Sequence, residues 1–168
     1  MPFYKKRLRL PPADYIGRRI YFVTLGTENR AKFFADLPTG RWVVEKLLML
    51  AGEFGFCLHA YCAMPDHLHF LSEGLSDTSN LVKFVDGFKQ RTTYEFSSVH
   101  GKRLWQRRYY DHILRPNEAV EDAACYIWWN PVRKRLCADP NSYPLSGSQT
   151  IDWIKRSPLA TNWKPSWK

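Results

Sequence analysis

The sequence predicts an α+β protein, a ferredoxin-like sandwich of βαββαβ order with an additional C-terminal helix, and three observations predict it. Four runs rich in β-branched and aromatic residues alternate with segments whose apolar residues recur at helical spacing. The dipeptide Pro65-Asp66 splits one long apolar stretch into two strands joined by a turn. A last helical segment, acidic at its start, follows the fourth strand. Strand, helix, strand, strand, helix, strand is the split βαβ order of such a sandwich.

"RRIYFVTLGT" (18–27) carries the β-branched and aromatic residues of a first strand. "TGRWVVEKLLMLAGEFG" (39–55) repeats apolar residues at Trp42, Val43, Leu47, Leu50 and Ala51, a helix that glycine ends near 52 or 55. "FCLHAYCAMPDHLHFLSEG" (56–74) is the strand pair around Pro65-Asp66. "NLVKFVDGFKQRTTYEFSSV" (80–99) is helical through Leu81, Phe84, Val85 and Phe88, and "RLWQRRYYDHILR" (103–115) reads as a fourth strand. "NEAVEDAACYIWWN" (117–130) places Glu118, Glu121 and Asp122 where a helix dipole favours acids, and Pro131 ends or kinks it.

The chain of 168 residues is expected to form one domain, 1–168, with a basic arm at 1–17 and an irregular tail at 138–168. A 45% hydrophobic and 15% aromatic composition excludes a disordered chain. The net charge of +9 suits a phosphate-rich partner, nucleic acid before membrane. No apolar run is long enough to span a bilayer and the N-terminus lacks a signal-peptide pattern, so a cytoplasmic location is expected. Cys57, Cys62, Cys125 and Cys137 form no CxxC pair and are expected to be reduced.

Chemistry concentrates in "MPDHLHFL". Residues two apart on a strand share a face, so His67 and His69 point one way and Leu68 and Phe70 the other. Two imidazoles on one face either chelate a divalent metal or stand as hydrogen-bonded histidines without one. Cys57, His59, Cys62 and His67 crowd the same hairpin, but strict alternation puts Cys57 and Cys62 on opposite faces, against a closed zinc site. In "CYIWWNPVRKRL", Tyr126 and Asn130 are four apart and share a helical face. A tyrosine there can be a covalent nucleophile and the amide oxygen a metal ligand. Taken alone, the stretch reads better as a helix that packs Tyr126 with Ile127 and Trp129 and whose asparagine caps the end before Pro131.

Together, "AMPDHLHFL", "LWQRRYYDHILR" and "YIWWNPVRKRL" resemble, in matching order, the REP-associated tyrosine transposases, domesticated relatives of insertion-sequence transposases in the single-tyrosine HUH superfamily. The resemblance runs from about residue 3 to about residue 148. It implies a ferredoxin-like fold, a Mg²⁺ or Mn²⁺ ion on His67 and His69, and Tyr126 as nucleophile. Asn130 stands where insertion-sequence relatives carry a glutamine ligand. It further implies a bacterial, nucleoid-associated DNA transposase or endonuclease that cuts single-stranded or hairpin DNA at palindromic extragenic repeats through a 5′-phosphotyrosine. Such a protein works as a monomer or a homodimer. The alternative is a catalytically inactive module that only binds hairpin DNA or RNA.

Candidate DNA contacts are Lys5, Lys6, Arg7 and Arg9 in the arm, then Lys102, Arg103, Arg107 and Arg108, then Arg133, Lys134 and Arg135. Trp105, Tyr109 and Tyr110 are candidates to stack on bases, with core packing expected for at least one of them. Tyr94 and Tyr110 lack an amide four residues on and before a proline, so neither is expected to be the nucleophile, and Asp122 is expected at the surface.

Overall fold

A computed structural model describes residues 9–153 and 164–165. Its elements in chain order are β1 (Ile20–Gly26), α1 (Leu37–Glu53), β2 (Phe56–Met64), β3 (His67–Gly74), α2 (Leu81–His100), β4 (Tyr110–Ile113), α3 (Val120–Trp128), α4 (Asn130–Arg133) and β5 (Ser146–Gly147). The sheet runs β4-β1-β3-β2-β5, with every neighbouring pair antiparallel. This is the expected α+β sandwich, extended by a fifth edge strand.

Local chemistry sets the ends of the long helices. The Asp36 carboxylate accepts the Thr39 N–H at 3.0 Å and opens α1, while the Asn80 side chain accepts the Lys83 N–H at 3.1 Å and opens α2. Gly101 closes α2 in the left-handed conformation (φ 62°), which glycine adopts without strain. Val43, Leu47, Leu50 and Ala51 of α1 and Leu81, Phe84, Val85 and Phe88 of α2 cover one sheet face, against Tyr21, Val23, Leu25, Leu58, Leu68 and Phe70. Helix α3 covers the other face, packing Ala123, Ala124, Ile127 and Trp128 on Phe22, Ala60, Cys62, Met64 and Leu71. Strand β3 is therefore covered on both sides, and any polar group on it is desolvated unless paired.

Two sequence expectations change. Within 103–115 only Tyr110–Ile113 is strand, because Leu104 and Trp105 drop into the α1/α2 core instead. Trp105 is 1% exposed, packs on Phe34 and Phe88, and donates its indole N–H to Thr92 Oγ1 at 2.8 Å. It is a core residue and offers no face to a base.

The second change lies in β2. A register shift between Leu58 and Ala60 leaves His59 with no cross-strand partner, a β-bulge. Cys57 pairs with Glu73 and Cys62 with His69, two β3 positions of the same parity, so both cysteines face the α3 side. The bulge cancels the odd spacing on which the alternation argument rested.

The described stretch 139–153 of the irregular tail lies against β2 and α3. Ala63 N donates to Leu145 O at 2.9 Å, the Tyr143 hydroxyl donates to Ala63 O at 2.7 Å, and Trp153 stacks on Trp128 with centroids 4.4 Å apart.

Gly74 closes β3 at a point where two backbones meet. A Cβ built on it would lie 2.1 Å from the Gly17 carbonyl oxygen and 2.9 Å from Ser79 Cβ. Because the first of these is backbone, relief requires moving the chain, and Gly74→Ala is expected to lower stability by about 3 kcal/mol. Urea unfolding should show a lower midpoint at unchanged slope; an unchanged midpoint would contradict the packing.

Candidate active site

The turn at Pro65-Asp66 delivers His67 and His69 onto the α3 side of β3, where they are 7% and 3% exposed. Their Nε2 atoms lie 2.9 Å apart, with the rings nearly perpendicular at 82°. Each Nδ1 is held from behind. Asp66 Oδ1 meets His67 Nδ1 at 2.6 Å, and Thr24 Oγ1 meets His69 Nδ1 at 2.8 Å. Asp66 Oδ2 also pairs with Arg30 Nε at 3.1 Å, and the Asp66 carbonyl takes the Thr27 N–H and hydroxyl.

Partial burial pushes the Asp66 carboxyl upward in pKa, but the His67 hydrogen bond and the His67 and Arg30 charges outweigh it and leave it below the ordinary value. An ionised carboxylate only accepts, so His67 carries its proton on Nδ1 and presents a bare Nε2 when neutral. The Thr24 hydroxyl serves either tautomer of His69. The same geometry therefore either shares one proton between the rings or points two nitrogen lone pairs at one cation. Two neutral imidazoles with their far nitrogens fixed by a carboxylate and a hydroxyl are the donor set and support that a divalent metal uses.

Tyr126 lies on α3, half-buried, on the same side of the sheet. The Phe22 ring bridges the two sites, 5.8 Å from the His69 ring and 6.1 Å from the Tyr126 ring between centroids. Arg133 lies over Tyr126, its Cζ 3.9 Å from the ring centroid, and its Nη2 donates to the Tyr126 carbonyl at 2.5 Å. Both contacts sit at the junction where α3 ends, and Pro131 just beyond it has no N–H to offer the Ile127 carbonyl. Helix α3 stops at Trp128, α4 starts at Asn130, and the Arg133 guanidinium bonds a carbonyl in the last turn of α3. Asn130 is 5% exposed and its Nδ2 has no hydrogen-bond partner. Among the described residues its side chain makes no capping hydrogen bond to the helix.

Across the α3 side of the sheet, register aligns Tyr110, Thr24, His69 and Cys62 in one row. His112 stands opposite Phe22 in the next row, its Nε2 2.9 Å from Glu118 Oε2. Asp66 could have been singled out beside His67 in "PDHLH". Thr24 could not, since only strand register brings it to His69. Arg133, expected on DNA, stands on Tyr126.

The other basic candidates are spread over the surface. Lys102, Arg103, Arg107 and Arg108 are exposed on the segment between α2 and β4, and Lys134 and Arg135 are exposed beyond α4. Arg9 lies over the Tyr109 ring, 5.0 Å from its centroid, in a groove along the outer edge of β4 that Arg19 and Arg115 also line. Tyr94 is 78% exposed on α2, remote in sequence from either site motif. Lys5, Lys6 and Arg7 lie outside the described residues.

Comparison with known proteins agrees with this architecture. A REP-associated tyrosine transposase of Escherichia coli K12 is 24% identical over 152 residues, covering 83% of this chain and 87% of its own. A Haemophilus influenzae protein of the same family description is 22% identical over 145 residues, 79% of this chain and 81% of its own. The solved structure of a REP-associated tyrosine transposase bound to a REP hairpin superposes with a TM-score of 0.71 at 18% identity, covering 97% of this chain and 93% of that one, and so shares its fold. The family described as IS200-like transposases matches residues 18–128. The chain therefore belongs to the IS200-like transposase family, and within it stands with the REP-associated tyrosine transposases.

Proposed function

We propose that the chain is a metal-dependent endonuclease and strand-transferase for single-stranded or hairpin DNA, acting at palindromic extragenic repeats through a 5′-phosphotyrosine intermediate. The observation that carries this reading is the pair of histidine Nε2 atoms 2.9 Å apart, on the sheet face that also carries Tyr126. His67, His69 and the Asn130 amide oxygen would hold the ion. When bound, Mg²⁺ or Mn²⁺ withdraws charge from the scissile phosphate and aligns it.

The chain's own residues do the rest. Asp66 and Thr24 keep the two imidazoles turned inward, and burial under α3 limits their motion. Arg133 clamps the plane of the Tyr126 ring and anchors the carbonyl of the same residue, which fixes where the hydroxyl points. Attack forms a bond from the Tyr126 oxygen to the phosphorus and breaks the bond to the 3′ oxygen. The phenol proton passes to solvent, and the departing oxygen leaves as a 3′-hydroxyl. One phosphodiester replaces another, so the step is reversible without ATP, in keeping with the lack of a GxxxxGK[ST] phosphate loop in the sequence. Extruded single strands or hairpin flanks suit this geometry because a stacked duplex leaves little room for in-line attack.

The test is covalent capture. End-labelled hairpin DNA with single-stranded flanks, incubated with protein and Mg²⁺ or Mn²⁺, should yield a denaturant-stable protein–DNA adduct and a free 3′-hydroxyl strand. Tight hairpin binding without any adduct would reduce the chain to a binding module, and preference for an RNA hairpin would change the substrate class.

Affinity should also depend on salt. If Lys102, Arg103, Arg107 and Arg108 each contact one phosphate of a single strand, a tenfold rise in salt should weaken binding by roughly 10³-fold, at about 0.7 log units per contact. Replacing all four by glutamine should flatten that slope, and an unchanged slope would move the DNA path elsewhere.

A further inference from the structure

At the far end of the β2–β3 pair from the two histidines, the bulge assembles a second cluster. Cys57 and Glu73 are cross-strand partners, and His59, freed from the ladder, leans onto the same face. One donor atom from each of Cys57, His59 and Glu73 lies within 4.8 Å of the other two, and all three residues are partly buried. Glu73 lies four positions beyond His69 along β3, about 13 Å at strand rise, so this cluster is distinct from the histidine pair.

The cluster is oriented as well as close. Thr150 Oγ1 lies 2.7 Å from His59 Nδ1, and His59 Nε2 faces Glu73 Oε2 at 2.6 Å. A hydroxyl behind Nδ1 turns Nε2 toward the other donors, as hydrogen-bonding groups behind metal-bound histidines do. The segment carrying Thr150 is itself fixed, since Leu58 N donates to Gln149 Oε1 at 2.8 Å and Gln149 N donates to Leu58 O at 2.9 Å. No residue of the cluster takes part in the chemistry assigned to Tyr126.

We propose that Cys57, His59 and Glu73 form a separate site for a thiophilic divalent cation of the zinc class, which ties the segment at 149–150 to the bulged end of β2. A thiolate, an imidazole and a carboxylate together suit zinc, whereas Mg²⁺ and Mn²⁺ prefer oxygen donors. Bonds of about 2.0–2.3 Å put the donors of a tetrahedral ion roughly 3.3–3.8 Å apart, so the cluster closes by rotamer-scale movement. On binding, the Cys57 thiol proton and any proton shared between His59 and Glu73 pass to solvent, the thiolate stays as ligand, and water takes the fourth position. The zinc ligands suggested by the hairpin sequence alone were different, because Cys62 and His67 belong to the other end of the strands and Glu73 comes from β3.

Co²⁺ provides the test, because only a sulfur ligand gives a thiolate-to-cobalt charge-transfer band. Metal-free protein titrated with Co²⁺ should develop that band to one equivalent and lose it on adding Zn²⁺. The band should survive in the His67→Ala, His69→Ala double variant and vanish in Cys57→Ser. Glu73→Gln, at a partly exposed position that the fold tolerates, should weaken Co²⁺ binding at this band at least tenfold. A charge-transfer band that persists in Cys57→Ser, Co²⁺ binding without any such band, or an unchanged affinity in Glu73→Gln would each overturn the proposal. The result is independent of whether the protein cuts DNA.

Discussion

Tyr126→Phe should lose covalent attachment to DNA by roughly 10³-fold or more while binding hairpin DNA within about twofold of the native protein. The two halves of this expectation come from different atoms. The hydroxyl is the proposed nucleophile, and phenylalanine removes it. The ring supplies the packing against Phe22 and the platform for Arg133, and phenylalanine keeps both. The carbonyl that anchors Arg133 is backbone and is unaffected. A denaturing gel beside a hairpin titration separates chemistry from affinity. An adduct of undiminished yield in Tyr126→Phe would remove the nucleophile assignment, and Tyr110 would be examined next, because it stands in the same cross-strand row as Thr24 and His69.

The order of strands and helices was legible because its signals are local. Apolar spacing in α1 and α2, the Pro65-Asp66 turn and the stop at Pro131 each depend on a few neighbouring residues. The facing of His67 and His69 was legible for the same reason, since alternation over three residues needs no knowledge of the rest of the sheet. What failed depended on distant partners. Trp105 looked like a surface aromatic among arginines, and only the arrival of Thr92, Phe34 and Phe88 makes it core.

The bulge at His59 was invisible because one extra residue in a ladder leaves no mark in composition, yet it reverses the facing of everything beyond it. Thr24 is 45 residues from His69 in sequence and touches it only through the β1–β3 register. Arg133 looked like one member of a basic run. Its place on Tyr126 depends on the bend between α3 and α4, which brings residue 133 back over the last turn of α3.

His67→Ala and His69→Ala should each depress metal-dependent cleavage by roughly 10²–10⁴-fold, as expected for losing several kcal/mol of charge stabilisation at the phosphate. Excess EDTA should have the same effect on the native protein. Because both imidazoles are buried and hydrogen-bonded, alanine also leaves a cavity, so each variant needs a melting curve to separate lost chemistry from lost fold. Thr24→Val makes the sharper comparison. It keeps the shape and both imidazoles but removes the hydroxyl behind His69, and should raise the metal concentration needed for half-maximal cleavage about 10- to 100-fold. Saturating Mn²⁺ should restore most of the rate in Thr24→Val and little in His69→Ala.

Asn130→Ala belongs on the same axis. As a ligand its loss shifts the metal titration. As a packed amide without a partner for Nδ2, its loss changes the melting temperature and leaves the titration where it was. Full cleavage in excess EDTA, or an undiminished rate in the folded His67→Ala and His69→Ala variants, would show that the two nitrogens 2.9 Å apart share a proton rather than a metal. Tyr126 would then have to attack a phosphate polarised by arginines alone.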